Sequence, residues 1–225
     1  MNLLAVETMG VSASAAILED GQTVASLVLE EKARSSEMLV PMVQTLLEES
    51  RRKPADIDWV AVTRGPGSFT GLRVGITFAK VFAYSVGAKL LGIDTLEAIA
   101  AGVPGECSPL AVVLDAQRGE IVTRTYAFAE GTWTPTDAMR LVDWDDWLRA
   151  LPEETYLTGP LLSRKAKRLA GRNLVDTPYW NLNPAVLGEV AYGKIMAGAE
   201  DELWTLLPFY SRLAAAEERK LQKNS

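Results

Sequence analysis

The chain has 225 residues, 48% of them hydrophobic and 23% charged, which suits one large domain or two lobes of about 100 residues and excludes general disorder. It contains no histidine, which removes imidazole bases and His-ligated metals, and Cys107 is its single cysteine, which excludes an internal disulfide. With 23 basic against 29 acidic residues the net charge is −6. Strong unaided binding to nucleic acid is therefore disfavoured, and a role in RNA chemistry would need another subunit to hold most of the RNA.

The first third reads as three strands followed by alternating helices and strands. Residues 2–6 are a short apolar run, and residues 11–18 and 23–30 alternate apolar with polar or small side chains. Gly10 and the pair Asp20-Gly21 supply the turns, Asp-Gly being a strong hairpin signal. Ser36 and Glu37 open a helix to about residue 52, with Met38, Leu39, Met42, Val43, Leu46 and Leu47 at helical spacing and Pro41 in its early turns. Residues 58–63 form a buried-type strand, then a glycine turn leads into a helix over 68–85. A strand over 89–93 and a short helix capped by Asp94 or Thr95 follow.

Residues 102–109, with two glycines and two prolines, mark a boundary between lobes over residues 1–104 and 105–210. Beyond it the opening pattern returns. Residues 110–114 run into Asp115, and Gly119 turns the chain into an alternating strand over 120–126, as residues 3–6 run into Glu7 and Gly10. Two readings stand side by side: hairpins of a common kind, or a duplicated fold whose strand-end acids face each other across a cleft. The second lobe then carries a short helix over 143–151, a strand over 155–158, and helices over 161–169 and from Pro184. Trp133, Trp144, Trp147 and Trp180 read as its core, and a final helix over about 211–222 is expected to pack back on the first lobe.

The glycine turn Arg64-Gly65-Pro66-Gly67-Ser68-Phe69-Thr70-Gly71 is neither a Walker loop nor a hydrolase elbow, since no Gly-Lys-Ser/Thr and no Gly-x-Ser-x-Gly is present. Beyond it, Gly71, Gly75, Ala79 and Ala83 recur every four residues and lay a stripe of very small side chains along one helix face. Glycine inside a helix costs about 1 kcal/mol relative to alanine, so close packing must compensate. If this helix lies beside the helix over 36–52, the pair presents a flat apolar surface for a related partner; both helices covering only their own sheet is the competing reading. Met38, Met42, Leu46, Gly71, Leu72, Val74, Gly75, Phe78, Ala79 and Phe82 are the candidate interface residues. On that reading Gly75→Leu abolishes partner binding and leaves the chain folded. Glu7 and Asp115 would hold a hydrated cation beside a nucleotide only if a phosphate-binding loop accompanied them; otherwise they are ordinary strand-end acids.

The segments L-L-A-V-E-T, R-S-S-E-M-L-V-P-M, R-G-P-G-S-F-T-G-L-R-V-G, L-D-A-Q-R-G-E-I-V and P-F-Y-S-R-L-A-A-A-E together resemble the TsaB (YeaZ) family over nearly the whole chain. The resemblance implies an α/β actin-like ATPase fold of two lobes with related topology. It implies a non-catalytic subunit in the synthesis of N6-threonylcarbamoyladenosine at tRNA position 37, with no metal and no cofactor of its own beyond a weak or interface-dependent ATP or ADP. The implied partners are the catalytic paralogue TsaD, through the first two helices, and the ATPase TsaE; tRNA is reached through the complex, and for the chain alone homodimer and monomer both stand open. Family members usually carry aspartate where Glu7 stands and histidine where Ser35 stands, which weakens independent metal chemistry further. An autonomous ATPase or kinase and a homodimeric regulatory protein are the alternatives. No apolar run approaches the roughly 20 residues of a bilayer span, so a cytoplasmic protein is expected.

Overall fold

The computed structural model describes residues 1–10, 12–29 and 35–211. The helix expected near 211–222 falls almost wholly outside them.

Strands β1 (Asn2–Glu7), β2 (Ser14–Glu19) and β3 (Gln22–Val28) form an antiparallel meander, with Asp20 and Gly21 both at positive φ in the second turn. That turn conformation matches the right-handed twist of the flanking strands. Helix α1 (Ser35–Glu49) leads to β4 (Trp59–Gly65), which pairs parallel with β1, and helix α2 (Phe69–Val86) leads to β5 (Lys89–Asp94), parallel to β4. The sheet order is β3-β2-β1-β4-β5. Alternate residues of β1 enter different cores: Leu4 and Val6 face α1 and α2, while Leu3 and Ala5 face the opposite side. Burial on both faces explains why β1 reads as an unbroken apolar run.

Asp94 ends β5 and caps α3 (Thr95–Ala101), its carboxylate accepting from the N–H groups of Leu96 and Glu97. The second sheet follows: β6 (Leu110–Asp115), β7 (Glu120–Ala129), β8 (Thr132–Pro135) and β9 (Arg140–Asp143), then α4 (Trp144–Ala150), β10 (Tyr156–Thr158) and α5 (Leu162–Lys165). Its order β10-β6-β7-β8 repeats β4-β1-β2-β3 of the first sheet, with the same parallel and antiparallel senses. The place of β3 is shared by β8 and β9, which pair with opposite halves of β7. The duplication extends to detail. Gly65-Pro66 after β4 and Gly159-Pro160 after β10 both carry glycine at φ near +120°, where a Cβ would strike a backbone carbonyl oxygen.

Two expectations about the chain's division need correcting. Helix α6 (Pro184–Met196) does not belong to the second lobe: it lies on the first sheet, where Leu18 would meet a Cβ on Gly188. Residues 199–211 likewise return to β5 and β4, through hydrogen bonds from Asp201 N–H to the Leu90 carbonyl and from Phe209 N–H to the Arg64 carbonyl. The helix expected over 161–169 is shorter, a single turn of α5 followed by a 3-10 turn over Ala166–Arg168.

One apolar cluster spans both sheets, joining Leu3, Leu18 and Ile93 with Leu110, Val112, Val122 and Tyr126 through α3 and α6. A second fills the space between the first sheet and α1 and α2, and a third holds Trp144, Trp147 and Leu162 against the second sheet. Trp180 packs at the edge of the third cluster, as the sequence suggests, whereas Trp133 packs against the cluster that spans both sheets.

Candidate functional site

The glycine turn and the start of α2 are built by local chemistry. The Ser68 hydroxyl accepts a hydrogen bond from Gly71 N–H and caps the helix, and Gly87 closes it in the left-handed conformation. The small-residue stripe meets the chain's own first hairpin. The Thr8 hydroxyl donates to the Gly71 carbonyl at 2.7 Å, and a Cβ on Gly71 would stand 2.0 Å from the Thr8 carbonyl oxygen. A Cβ on Gly75 would stand 2.2 Å from the Thr8 hydroxyl, and Ala79 and Ala83 are fully buried against the first sheet. The close packing that compensates for the glycines is internal.

This corrects the candidate interface. Met42, Leu46, Leu72, Gly75 and Ala79 are buried in the chain's own core, and Gly71 is wedged against Thr8. Gly75→Leu would therefore break the fold, not leave it intact. Met38, Val74, Phe78 and Phe82 do reach the surface. They lie on the outer side of α1 and α2, together with Val40 and Val81, each 63% exposed, and Tyr84. Sequence reasoning missed these last three, although Val74, Phe78 and Val81 follow an i, i+4, i+7 pattern that traces a second apolar stripe on α2. Val74 and Phe78 pack half-buried at the edge of the core, and Val81 stands clear of it. Exposed apolar clusters of this kind mark contact surfaces.

The ridge is flanked by the segment 203–210. The Lys80 ammonium donates to the Trp204 carbonyl, Tyr84 packs on Trp204 with ring centres 5.4 Å apart, and Leu206 is buried against Gly92. Further along, Tyr210 stacks on Phe69 at 4.5 Å, while the Arg73 guanidinium lies 3.8 Å over Phe69 and donates to the Tyr210 hydroxyl. Trp204 and Leu207 remain about 70% exposed. No periodicity announces this segment in the sequence.

The two strand-end acids are both engaged. Glu7 is buried, with Oε1 accepting from Met9 N–H at 2.5 Å and Gly10 N–H at 2.9 Å, and Oε2 from the Ser14 hydroxyl at 3.3 Å. Burial pushes its carboxyl up to about 7, against the pull of those three donors. Asp115 accepts from Gln117 N–H and pairs with Arg164 at 3.1 Å. In a nucleotide-binding cleft the first turn would offer its N–H groups to phosphate and the acids would face a hydrated cation. Here the Met9 and Gly10 N–H groups serve Glu7, Asp115 pairs with Arg164 at the surface, and Met9, Leu72 and Leu114 belong to the apolar cluster between the lobes. The Met9 and Gly10 N–H groups and both strand-end carboxylates are thus already engaged within the chain. Among the described residues no group of three or more Asp, Glu, Cys or His side chains is placed to hold a metal ion.

Residues 24–169 match the family described as TsaD: tRNA N6-adenosine threonylcarbamoyltransferase. Over its full length the chain is 27% identical to the tRNA threonylcarbamoyladenosine biosynthesis protein TsaB of Bacillus subtilis, covering 99% of each chain. The chain belongs to the TsaB (YeaZ) family. The Escherichia coli protein of the same name is 34% identical over 59% of this chain and 58% of its own. The structure of YeaZ from Pseudomonas aeruginosa superposes with a TM-score of 0.76 at 24% identity, covering 93% of this chain and all of that one, which shows a shared fold. The activator of the 2-hydroxyisocaproyl-CoA dehydratase from Clostridium difficile matches more distantly, with a TM-score of 0.50 over 90% of this chain and 99% of that one at 10% identity. The fold is the actin-like ATPase type, as the sequence resemblance implied. No helix among the described residues is long and apolar enough to cross a membrane.

Proposed function

We propose that this chain is a non-catalytic subunit in the synthesis of threonylcarbamoyladenosine in tRNA, and that it docks on a TsaD-type threonylcarbamoyltransferase through the outer ridge of α1 and α2. The observation that carries the reading is the apolar surface of α1 and α2, where Met38, Val40 and Val81 stand exposed and Val74, Phe78 and Phe82, half-buried, extend the core outward. The Bacillus subtilis and Escherichia coli relatives bear names from this pathway, which supports the pathway assignment. The engaged state of Glu7 and Asp115 supports an accessory role over an autonomous ATPase. In this reading tRNA is held mainly by the transferase, a TsaE-type ATPase joins the pair, and docking stabilises the transferase's competent state by binding it selectively.

The test is co-elution of the purified chain with a threonylcarbamoyltransferase in size-exclusion chromatography, using Val81→Glu beside the parent, together with an assay of the modified adenosine. The parent is expected to co-elute and raise the yield of modified tRNA, and Val81→Glu to lose both with an unchanged circular-dichroism spectrum. An intact complex with Val81→Glu moves the interface elsewhere. Tight ATP binding and turnover by the isolated chain in calorimetry favours the enzyme reading.

A further inference from the structure

Five of the 23 basic residues, Arg164, Lys165, Lys167, Arg168 and Arg172, fall within residues 161–172, a stretch with no acid, in a chain whose net charge is −6. The local structure gives this run a direction. Leu161, Leu162 and Leu169 are buried in the lobe-two core, so the one-turn helix α5 and its 3-10 extension are pinned by their apolar side. Arg164 and Lys167 consequently stand exposed, with Lys165 half-buried beside them. Two of the cations are held in place. Arg164 pairs with Asp115 at the end of β6, and the Lys165 ammonium lies 5.4 Å from the centre of the Trp144 ring. Arg172 braces the segment from below by donating to the carbonyls of Leu148 and Leu151 at the end of α4. Among the acids around it, Asp115 is paired with Arg164, Asp143 caps α4, Asp146 pairs with Arg149, and Glu153 and Glu154 lie by the Arg172 end, where Asn173 donates to their backbone carbonyls.

We infer that this basic turn of the second lobe contacts the phosphate backbone of the tRNA, so that the subunit touches RNA directly as well as through its partner. The inference rests on the pathway assignment above for the identity of the polyanion. The chemistry favours RNA over a lipid surface: every leucine of the segment is buried while Arg164 and Lys167 stand exposed, so the segment offers charge and no large apolar side chain to a membrane. Two or three phosphate contacts give weak, salt-sensitive, sequence-independent binding, which is what a second subunit needs when another holds most of the RNA.

The experiment is fluorescence anisotropy of a labelled tRNA transcript with the full chain, the double variant Lys165→Glu/Lys167→Glu, and a double variant of equal charge change in the first lobe, Arg51→Glu/Lys53→Glu. Expected is saturable binding by the parent that weakens roughly tenfold between about 50 and 200 mM salt, as release of about two counterions requires. The lobe-two variant is expected to bind about tenfold more weakly still, and the lobe-one variant within about twofold of the parent, as localised phosphate contacts require. Absence of binding by the parent at low salt, equal losses in both variants, or binding to anionic phospholipid vesicles in place of tRNA overturns the inference. Co-elution with the transferase, measured in parallel, separates the two proposals: a parent that binds tRNA and fails to co-elute faults the docking reading alone.

Discussion

Thr8 links the first hairpin to α2 by a hydrogen bond and by two close approaches, of its carbonyl oxygen to Gly71 and of its hydroxyl to Gly75. A methyl group at position 71 meets a carbonyl oxygen of the backbone, not a movable side chain, so Gly71→Ala is expected to destabilise the chain by about 1–3 kcal/mol despite alanine's better helix propensity. Urea denaturation checks it, and an unchanged midpoint would mean that the hairpin turn yields. Glu7 supplies a second prediction at this scale. The folded chain binds its proton more tightly than the unfolded chain, whose carboxyl titrates near 4.5. The stability this contributes is complete below that value and is lost as pH rises through about 7, a difference on the order of 3 kcal/mol. Glu7→Gln keeps an oxygen for the Met9 and Gly10 N–H groups and has no proton to lose. Its melting temperature should exceed the parent's at pH 8 and lose this part of the parent's decline between about pH 4.5 and 7. Parallel profiles for the two proteins would remove Glu7 as the source.

Helix α2 shows why part of the site was legible and part was not. Its existence, its Ser68 start and its importance follow from residues 64–85 alone, and the glycine spacing correctly announces a close approach. What the spacing cannot say is to whom. Leu72, Ile76 and Ala79 form one apolar face and Val74, Phe78 and Val81 another, and periodicity ranks neither as the inner one. The small residues lie inward because the Thr8 turn and the first sheet approach there, a long-range fact with no local trace. The same limit hid β8 and β9, each only four residues long, and the returning segment 203–210. The ridge assignment has a quantitative side: a charge buried at the centre of a helix–helix contact should weaken the complex by about 2 kcal/mol or more, about thirtyfold, whereas Lys53→Glu outside the ridge should leave it unchanged. Titration calorimetry of both variants with the transferase measures this. Equal affinities for Val81→Glu and Lys53→Glu would contradict it.

On the scale of the whole molecule, the strand-end acids, the hairpins and the repeat were readable because both copies of the motif begin with an apolar strand, an acid and a glycine turn. The lobes are nevertheless not independent, since one apolar cluster runs through both sheets. Unfolding is accordingly expected to be a single cooperative transition, with far-ultraviolet circular dichroism and tryptophan fluorescence coinciding in urea. Four of the six tryptophans lie in the second lobe, so a separate melting of that lobe would split the two curves. The path of α6 has a constructional consequence. Because the chain leaves the first sheet at β5 and comes back to it after Leu182, the second lobe is spliced into the first, as a guest domain is into its host. A fragment stopping near residue 104 would leave Leu18 without its cover at Gly188 and Leu90 without its bridge to Asp201. To obtain the host by itself, one would have to excise the interior and suture residue 103 to residue 183, since no simple truncation yields it.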